Sequence, residues 1–350
     1  MRQRMEEVVS RSGVTIRDVA RVAGVSLSSV SRALNGGKNV SARVARDVAA
    51  AASTLGYQPD FLARSLRTRS SGMVGCLVPD VSNPLNAPIV RAAEARLRDA
   101  GYLLIIVNTA NDPVRERAAA AQLRGRRLDG MLVAPAGESN GQMWRDLVAA
   151  GTPVVILDRD PLENDVRSPA VLVDHRAGAM AATRYLVALG HRRIALLTAD
   201  ADMRPSRERI AGFRAVFAEA GIDVAGATLC IQASPLDFAQ GGMLALLREA
   251  PRPTALIALG TRILAGALRT ARDLGLSVPR DLSVLSVGDT DLAVVHMPPI
   301  TALRWSLEDV GRAAADLLLQ RLHGAGGQAQ SRALLPVELV LRESCAPPAA

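Results

Sequence analysis

The chain has 350 residues, a formal net charge of +8, 49% apolar residues and only 3% aromatic ones. That length predicts two or three domains with ample core. No apolar run reaches the roughly 18 residues of a membrane span, and the opening MRQRMEEVVSRSG lacks the apolar centre of a secretory leader. Cys76, Cys230 and Cys345 are scattered and odd in number, with no CxxC and no metal spacing, so no metal site is expected and a reducing cytoplasm is the expected compartment.

In chain order, the first predicted elements lie in TIRDVARVAGVSLSSVSRALN, residues 15–35. Thr15 is a good N-cap with Asp18 three residues on, an acidic version of the capping box. Ile16, Val19, Ala20 and Ala23 then give the apolar stripe of a short helix. Gly24 ends it, and Ser26 caps a second helix, with Val25 and Val30 placed as a hydrophobic staple. Val30, Ala33 and Leu34 face inward. Leu27, Ser28, Ser31 and Arg32 face outward, where an isolated surface helix usually carries charge pairs; small hydroxyls, one apolar residue and one Arg suit base edges and phosphates instead. Asn35-Gly36-Gly37 ends the helix. A third amphipathic stretch follows Ser41, with Val44, Val48, Ala51 and Leu55, and stops at Gly56.

Charge agrees with that pattern. Residues 1–70 hold twelve basic and five acidic residues, a net +7, so the rest of the chain is almost neutral. A basic module on an electrically balanced body is the footprint of phosphate contact.

From about residue 72, short apolar runs alternate with longer amphipathic ones. The runs are Met73–Val78, Leu103–Val107, Gly130–Ala134, Val154–Leu157, Ala170–Val173, Ile194–Thr198, Ala255–Leu259 and Ser283–Val287. Nearly continuous apolarity predicts parallel strands buried on both faces. The helical stretches between them often end in Gly (Gly101, Gly151, Gly190, Gly221, Gly275), each a left-handed cap before the next strand. The alternation predicts a doubly wound α/β architecture, and it starts afresh near Asp174, which predicts two similar subdomains with a ligand cleft between them.

These motifs resemble the LacI (lactose-repressor/galactose-repressor) family of bacterial transcription regulators, from about Val14 to Ala346. The most specific stretch is TIRDVARVAGVSLSSVSRALN with the following VSARVARDVAAAASTLGYQPDFLARSLRT. VPDVSNP, LDGMLVAP, LGHRRIALL, RERIAGF, RPTALIA and PRDLSVLSVGDTD carry the likeness through the core. The resemblance implies an N-terminal all-α helix-turn-helix domain plus hinge helix, then an α/β core of two doubly wound, periplasmic-binding-protein-like subdomains. The expected parts are an extension at 1–12, the DNA-binding domain at 13–58 and the hinge helix or linker at 59–70. The N-terminal core subdomain is expected at 71–173 and 300–325, and the C-terminal one at 174–299 and 326–346.

The same resemblance implies a homodimer on a near-palindromic double-stranded operator, with Leu27, Ser28, Ser31 and Arg32 reading bases and Thr15, Ser26, Ser29 and Asn35 nearer the phosphates. The hinge, capped by Asp60, would contain Ala63, Arg64, Leu66 and Arg67, with Leu66 as the minor-groove wedge. So short a helix is marginal alone and is expected to form only on DNA. A small-molecule effector is expected at Asn83, Asp158, Arg207, Arg209, Thr261 and Asp289, with Leu236 or a neighbour where relatives carry a stacking aromatic. Structural alternatives stand beside three of these: Arg209 paired with Asp158, Asp289 capping the next helix, and Asn83 as a helix cap. Two positions depart from the sugar-binding pattern. Leu259-Gly260-Thr261 lacks the usual Asn-Asp, and Gly288 stands where a first Asp is usual. Fewer acceptors with Arg retained favour an anionic ligand, a sugar acid or other small carboxylate, over a neutral sugar.

An enzyme is not expected. His175, His191, His296 and His323 lie in unrelated segments, no GxSxG or GxxxxGK[ST] occurs, and no cofactor motif is present. A solute-binding protein is the weaker alternative, against which the basic helix-turn-helix stands. Repression is the expected mode, with activation or a dual role as the alternative. The closing RESCAPPAA adds no heptad, so a coiled-coil tetramer is not expected.

Overall fold

A computed structural model describes residues 14–34, 40–57, 70–136, 141–160, 169–223, 226–232, 238, 240–324 and 332–349. It divides into two compact units, Met1–Ser71 and Gly72–Ala350.

In the first unit, the described residues form α1 (Ile16–Ala23), α2 (Leu27–Leu34) and α3 (Ala42–Leu55). Val19, Ala20, Val30, Val48 and Ala51 make its core, with Val25, Ala33, Leu34, Val44 and Leu55 packed around them. The Asp18 carboxylate accepts from both the Thr15 amide (3.1 Å) and the Thr15 hydroxyl (2.7 Å) at the head of α1. Gly24 adopts a positive φ, a left-handed turn that costs glycine little and lets α2 start soon after. Ser41 caps α3 through the Val44 amide at 3.4 Å.

The second unit contains two six-stranded sheets. The first has the order β11-β5-β4-β3-β1-β2 and is parallel throughout. Its strands are β1 (Met73–Val78), β2 (Leu103–Asn108), β3 (Gly130–Val133), β4 (Val154–Leu157), β5 (Ala170–Val173) and β11 (Arg332–Leu335). The second has the order β12-β10-β9-β8-β6-β7, parallel except where β12 runs against β10. It comprises β6 (Ile194–Ala199), β7 (Ala227–Gln232), β8 (Ala255–Leu259), β9 (Ser283–Val287), β10 (Thr301–Arg304) and β12 (Glu338–Val340). The helices are α4 (Ala87–Asp99), α5 (Pro113–Gly125), α6 (Gly141–Ala149), α7 (His175–Ala188), α8 (Arg204–Glu219), α9 (Gln240–Arg248), α10 (Arg262–Asp273), α11 (Asp291–Val295) and α12 (Leu307–Leu322). Separate apolar clusters line the two faces of the first sheet, and one large cluster centred on Phe213, Phe217 and Leu256 fills the second subdomain.

The five glycines expected to end helices all take positive φ. The subdomain boundaries need correction. β10 pairs with β9, so residues 301–304 belong to the second subdomain, whereas α12 returns to pack on α4 and the first sheet. β11 pairs with β5, so residues 332–335 belong to the first subdomain. The chain therefore crosses between subdomains after β5, after β10 and after β11. Four strands, β7, β10, β11 and β12, were not foreseen. They are short or lie at sheet edges, where one half-exposed face breaks the continuous apolar run that marks an interior strand. Among the described residues, no helix is long and apolar enough to cross a membrane.

Candidate functional site

The first site lies on α2. Its inner side is fixed by buried Val30; its outer side presents Leu27, 45% exposed, together with exposed Ser28 and Arg32 and half-buried Ser31. Ser26 caps the helix: its Oγ accepts from the Ser29 amide at 3.2 Å and lies 2.9 Å from the hydroxyls of Ser28 and Ser29. Arg32 Nε donates to the Ser28 carbonyl at 3.2 Å, which lays the guanidinium along the outer face. Arg17, Arg21, Arg43 and Arg46 also belong to this unit and add to its positive charge. A convex helix with a capped N-terminus, hydroxyls and one guanidinium has the dimensions and donors for a DNA major groove. Thr15 is exposed and engaged with Asp18. Hydrogen bonds from Thr15, then the Arg21 guanidinium, hold the Asp18 carboxyl below its ordinary range. Asn35, Ala63, Arg64, Leu66, Arg67 and Asp60 lie outside the described residues, as does Leu236.

The second site is a cavity of about 130 Å³ at the carboxyl ends of β1, β3, β4, β5, β6 and β8, where open α/β sheets hold ligands. Asn83, Asp158 and Arg209 line it, with Asn111, Arg159, Asp200 and Trp305. Asp158 follows β4 with a positive φ and is heavily engaged. Its Oδ1 accepts from the Val173 amide and from Arg204 Nη1, both at 3.2 Å, and its Oδ2 lies 2.7 Å from His175 Nε2. Arg204 also donates to the Val173 carbonyl at 3.2 Å, so α8 of the second subdomain is tied to the end of the first sheet. On the other side of the His175 ring, Arg209 Nη2 lies 3.4 Å from Nδ1. A guanidinium can only donate, so Nδ1 accepts and Nε2–H donates to Asp158: the imidazole is neutral. Burial pushes the His175 pKa down in keeping with that state. Burial acts to raise the Asp158 carboxyl, but His175, Arg159 and Arg204 outweigh it and the net shift is downward. Trp305 meets the His175 ring edge-on, centroids 5.4 Å apart.

Arg209 is 6% exposed, and burial brings its pKa down to about 10. Its Nε, the Nε of Arg159 and the Oδ1 of Asn111 are buried without a hydrogen-bond partner. Buried polar atoms are nearly always paired, and all three of these residues line the cavity.

The family model for the lacI family of bacterial regulatory proteins matches residues 15–60, and a periplasmic binding protein-like domain matches residues 183–345. The chain is 31% identical to the ribose operon repressor of Escherichia coli K12 over 92% of this chain and 97% of that protein. The chain belongs to the LacI family. It is also 30% identical to the HTH-type transcriptional repressor PurR of Photobacterium profundum, covering 94% of this chain and 98% of the relative. Among solved structures it resembles the Lac repressor dimer bound to operator and the anti-inducer ONPF, with 27% identity, TM-score 0.83, and 96% and 100% of the two chains covered. LacI-family membership makes the chain a DNA-binding transcriptional regulator and not an enzyme.

Three residues expected at the effector are not among those lining this cavity. Arg207 is about half exposed and pairs with Asp160 and the Asp202 carbonyl. The reason is helical geometry: residues 207 and 209 lie about 200° apart on α8, so an inward Arg209 turns Arg207 out. Thr261 caps α10, its Oγ1 accepting from the Ile263 amide at 3.5 Å. Asp289 does not cap α11; Arg342 holds it, with Nη2 donating to Oδ2 at 2.8 Å. Asn83 stays on the cavity wall, and its Oδ1 accepts from the Leu85 amide at 3.0 Å in a turn, not as the cap of α4. Arg209 is joined to Asp158 through His175, not by a direct pair.

Arg159, Asn111, His175, Arg204 and Trp305 went unforeseen. A positional signal existed for three: Arg159 lies two residues past β4, Asn111 lies just past β2 and His175 opens α7 just past β5, all at strand carboxyl ends. Gly288, with a positive φ, explains its own departure from the family pattern. A Cβ there would lie 2.7 Å from Leu85 Cδ2, and Leu85 packs into the core of the second subdomain.

Proposed function

We propose that this LacI-family chain is a repressor that binds a near-palindromic operator as a homodimer and whose operator affinity is set by a small molecule in the cavity at Asp158, Arg159 and Arg209. The observation that carries the reading is the pairing of two sites on one chain: the outward face of α2, and a cavity lined by residues with three buried unpartnered polar atoms. The Lac repressor dimer bound to operator and anti-inducer supplies the parallel for both partners and for the dimer.

On this reading Leu27, Ser28, Ser31 and Arg32 read bases, while Thr15, Ser26, Ser29 and Asn35 lie nearer the phosphates. Residues 60–67 form the hinge, with Ala63, Arg64, Leu66 and Arg67 in the minor groove. The effector is a sugar, sugar acid or other small carboxylate, and Asn83, Asp158 and Arg209 bound its site. The compartment is the cytoplasm, where the DNA is. Repressor is preferred to activator because the named relatives are repressors.

The test is selection of duplexes from a random library by the full-length chain, followed by titration of the winner. A near-palindromic consensus is expected. Arg32→Ala should lose about 1–3 kcal/mol at one base pair of each half-site, while Arg46→Ala should weaken all duplexes about equally. Selection of no consensus would remove the reading.

A further inference from the structure

The cavity lining combines polar and apolar groups. It includes the Arg159 and Arg209 guanidiniums, near enough for Arg159 to depress the Arg209 pKa further, and the spare Oδ1 of Asn111. Leu85, Ile89, Leu259, Trp305, Leu307 and Val310 add apolar surface. Leu259 stands where the sequence pattern of sugar-binding relatives gives way, and Leu85 fills the space over Gly288.

Hydrogen-bonding capacity then bears on the ligand. Asp158 already accepts from the Val173 amide, Arg204 and His175, three of a carboxylate's roughly four lone-pair sites. Asp200 Oδ1 accepts from the Asp202 amide at 3.3 Å. Glu116, fully buried behind this region, is held by the Trp144 indole at 2.7 Å and by the Ala136 amide. The buried atoms without a partner at lining residues are two cationic donors and one neutral acceptor. A sugar brings hydroxyls around its whole rim, and those pressed on Leu85, Leu259 and Val310 would be desolvated without partners. A carboxylate supplies charge and acceptors to both guanidiniums. The cavity volume, about 130 Å³, is close to the roughly 150 Å³ of a void that admits a benzene ring.

We propose that the effector is a small monocarboxylate with an apolar body, its carboxylate on Arg159 and Arg209 and its body against Leu85, Leu259 and Trp305. The Asn111 carbonyl oxygen accepts a single hydroxyl or N–H where the ligand has one. This rests on the cavity being the effector site, as proposed above, and narrows the chemical class.

Titration calorimetry of the full-length chain with benzoate, isovalerate, benzamide, gluconate and ribose tests it. Benzoate or isovalerate should bind, and benzamide and ribose should be weaker by about ten-fold or more, the value of a charge-assisted contact. Arg209→Gln and Arg159→Gln should each weaken the carboxylate by a similar factor, and Arg207→Gln should not. Tighter binding of ribose or gluconate than of either apolar-bodied acid would overturn the ligand class; if Arg209→Gln abolished that binding, the cavity would stand as the effector site. Carboxylate binding that survives both cavity substitutions would overturn the site as well. Binding by neither acid would overturn the proposal. Should a variant fail to fold, the comparison of benzoate with benzamide on the unaltered chain still decides.

Discussion

His175 is the residue on which the core site turns, because it is neutral, buried and wedged between an anion and a cation. Its Nε2–H serves Asp158 and its Nδ1 serves Arg209, so a second proton has no acceptor and would face Arg204 and Arg209, with Arg159 also acting on Asp158. A folded-state pKa below the unfolded value of about 6.5 gives stability that is present above that pH and lost as pH falls through the folded value. The melting temperature of the full chain is therefore expected to fall between about pH 7 and pH 5, and His175→Gln should flatten part of that slope. His191, whose pKa burial also lowers against the opposing hydrogen bond to the Ala346 carbonyl, adds to the same slope. Superimposable pH profiles for the variant and the parent would contradict the assignment. Nothing in the sequence joined His175 to Asp158, because that contact depends on how β4 and β5 pair. Asp158 and Arg209 were legible through the resemblance; Arg204 was not, although it bonds the Asp158 carboxylate directly.

At the scale of elements, helix caps and interior strands were the legible features, since both follow from local chemistry. Thr15, Ser26 and the described glycines after helices act where expected because a cap needs only its next few residues. Strands β7, β10, β11 and β12 and the triple crossover were illegible, because the pairing of β10 with β9 and of β11 with β5 is decided by packing remote in sequence. Ser26→Ala removes the α2 cap and is expected to cost the N-terminal unit about 0.5–2 kcal/mol, read as a lower midpoint in urea denaturation followed by circular dichroism. An unchanged midpoint would deny the cap its role. In the core, α12 crosses α4 so closely that a Cβ on Gly311 would collide with the Ile89 carbonyl oxygen. Gly311→Ala must push the two helices apart, at a cost of about 1–3 kcal/mol or more. Gly125→Ala, whose Cβ meets nothing within 4 Å, is the control. Equal melting temperatures for the two variants would contradict the packing.

At the scale of the molecule, the segregation of charge is the feature that organises the rest. Seven of the eight net positive charges belong to residues 1–70, so DNA attraction is concentrated in a module that also carries the reading helix. The core is nearly neutral and encloses a cavity whose wall groups come from both subdomains, with Asp158 at the end of the first sheet and Arg209 on a helix of the second subdomain. A ligand that alters the Asp158–His175–Arg209 chain acts on the link between subdomains, and linkage then ties its binding to that of DNA. The most direct measurement is the fluorescence anisotropy of the selected operator duplex with the full-length chain, with and without the best-binding carboxylate at saturation. Operator affinity is expected to change by about 5- to 150-fold, the usual range of such coupling. An unrelated duplex should show no such change, and Arg209→Gln should abolish it. An operator affinity that saturating ligand leaves unchanged, or a change of the same size on the unrelated duplex, would contradict the account.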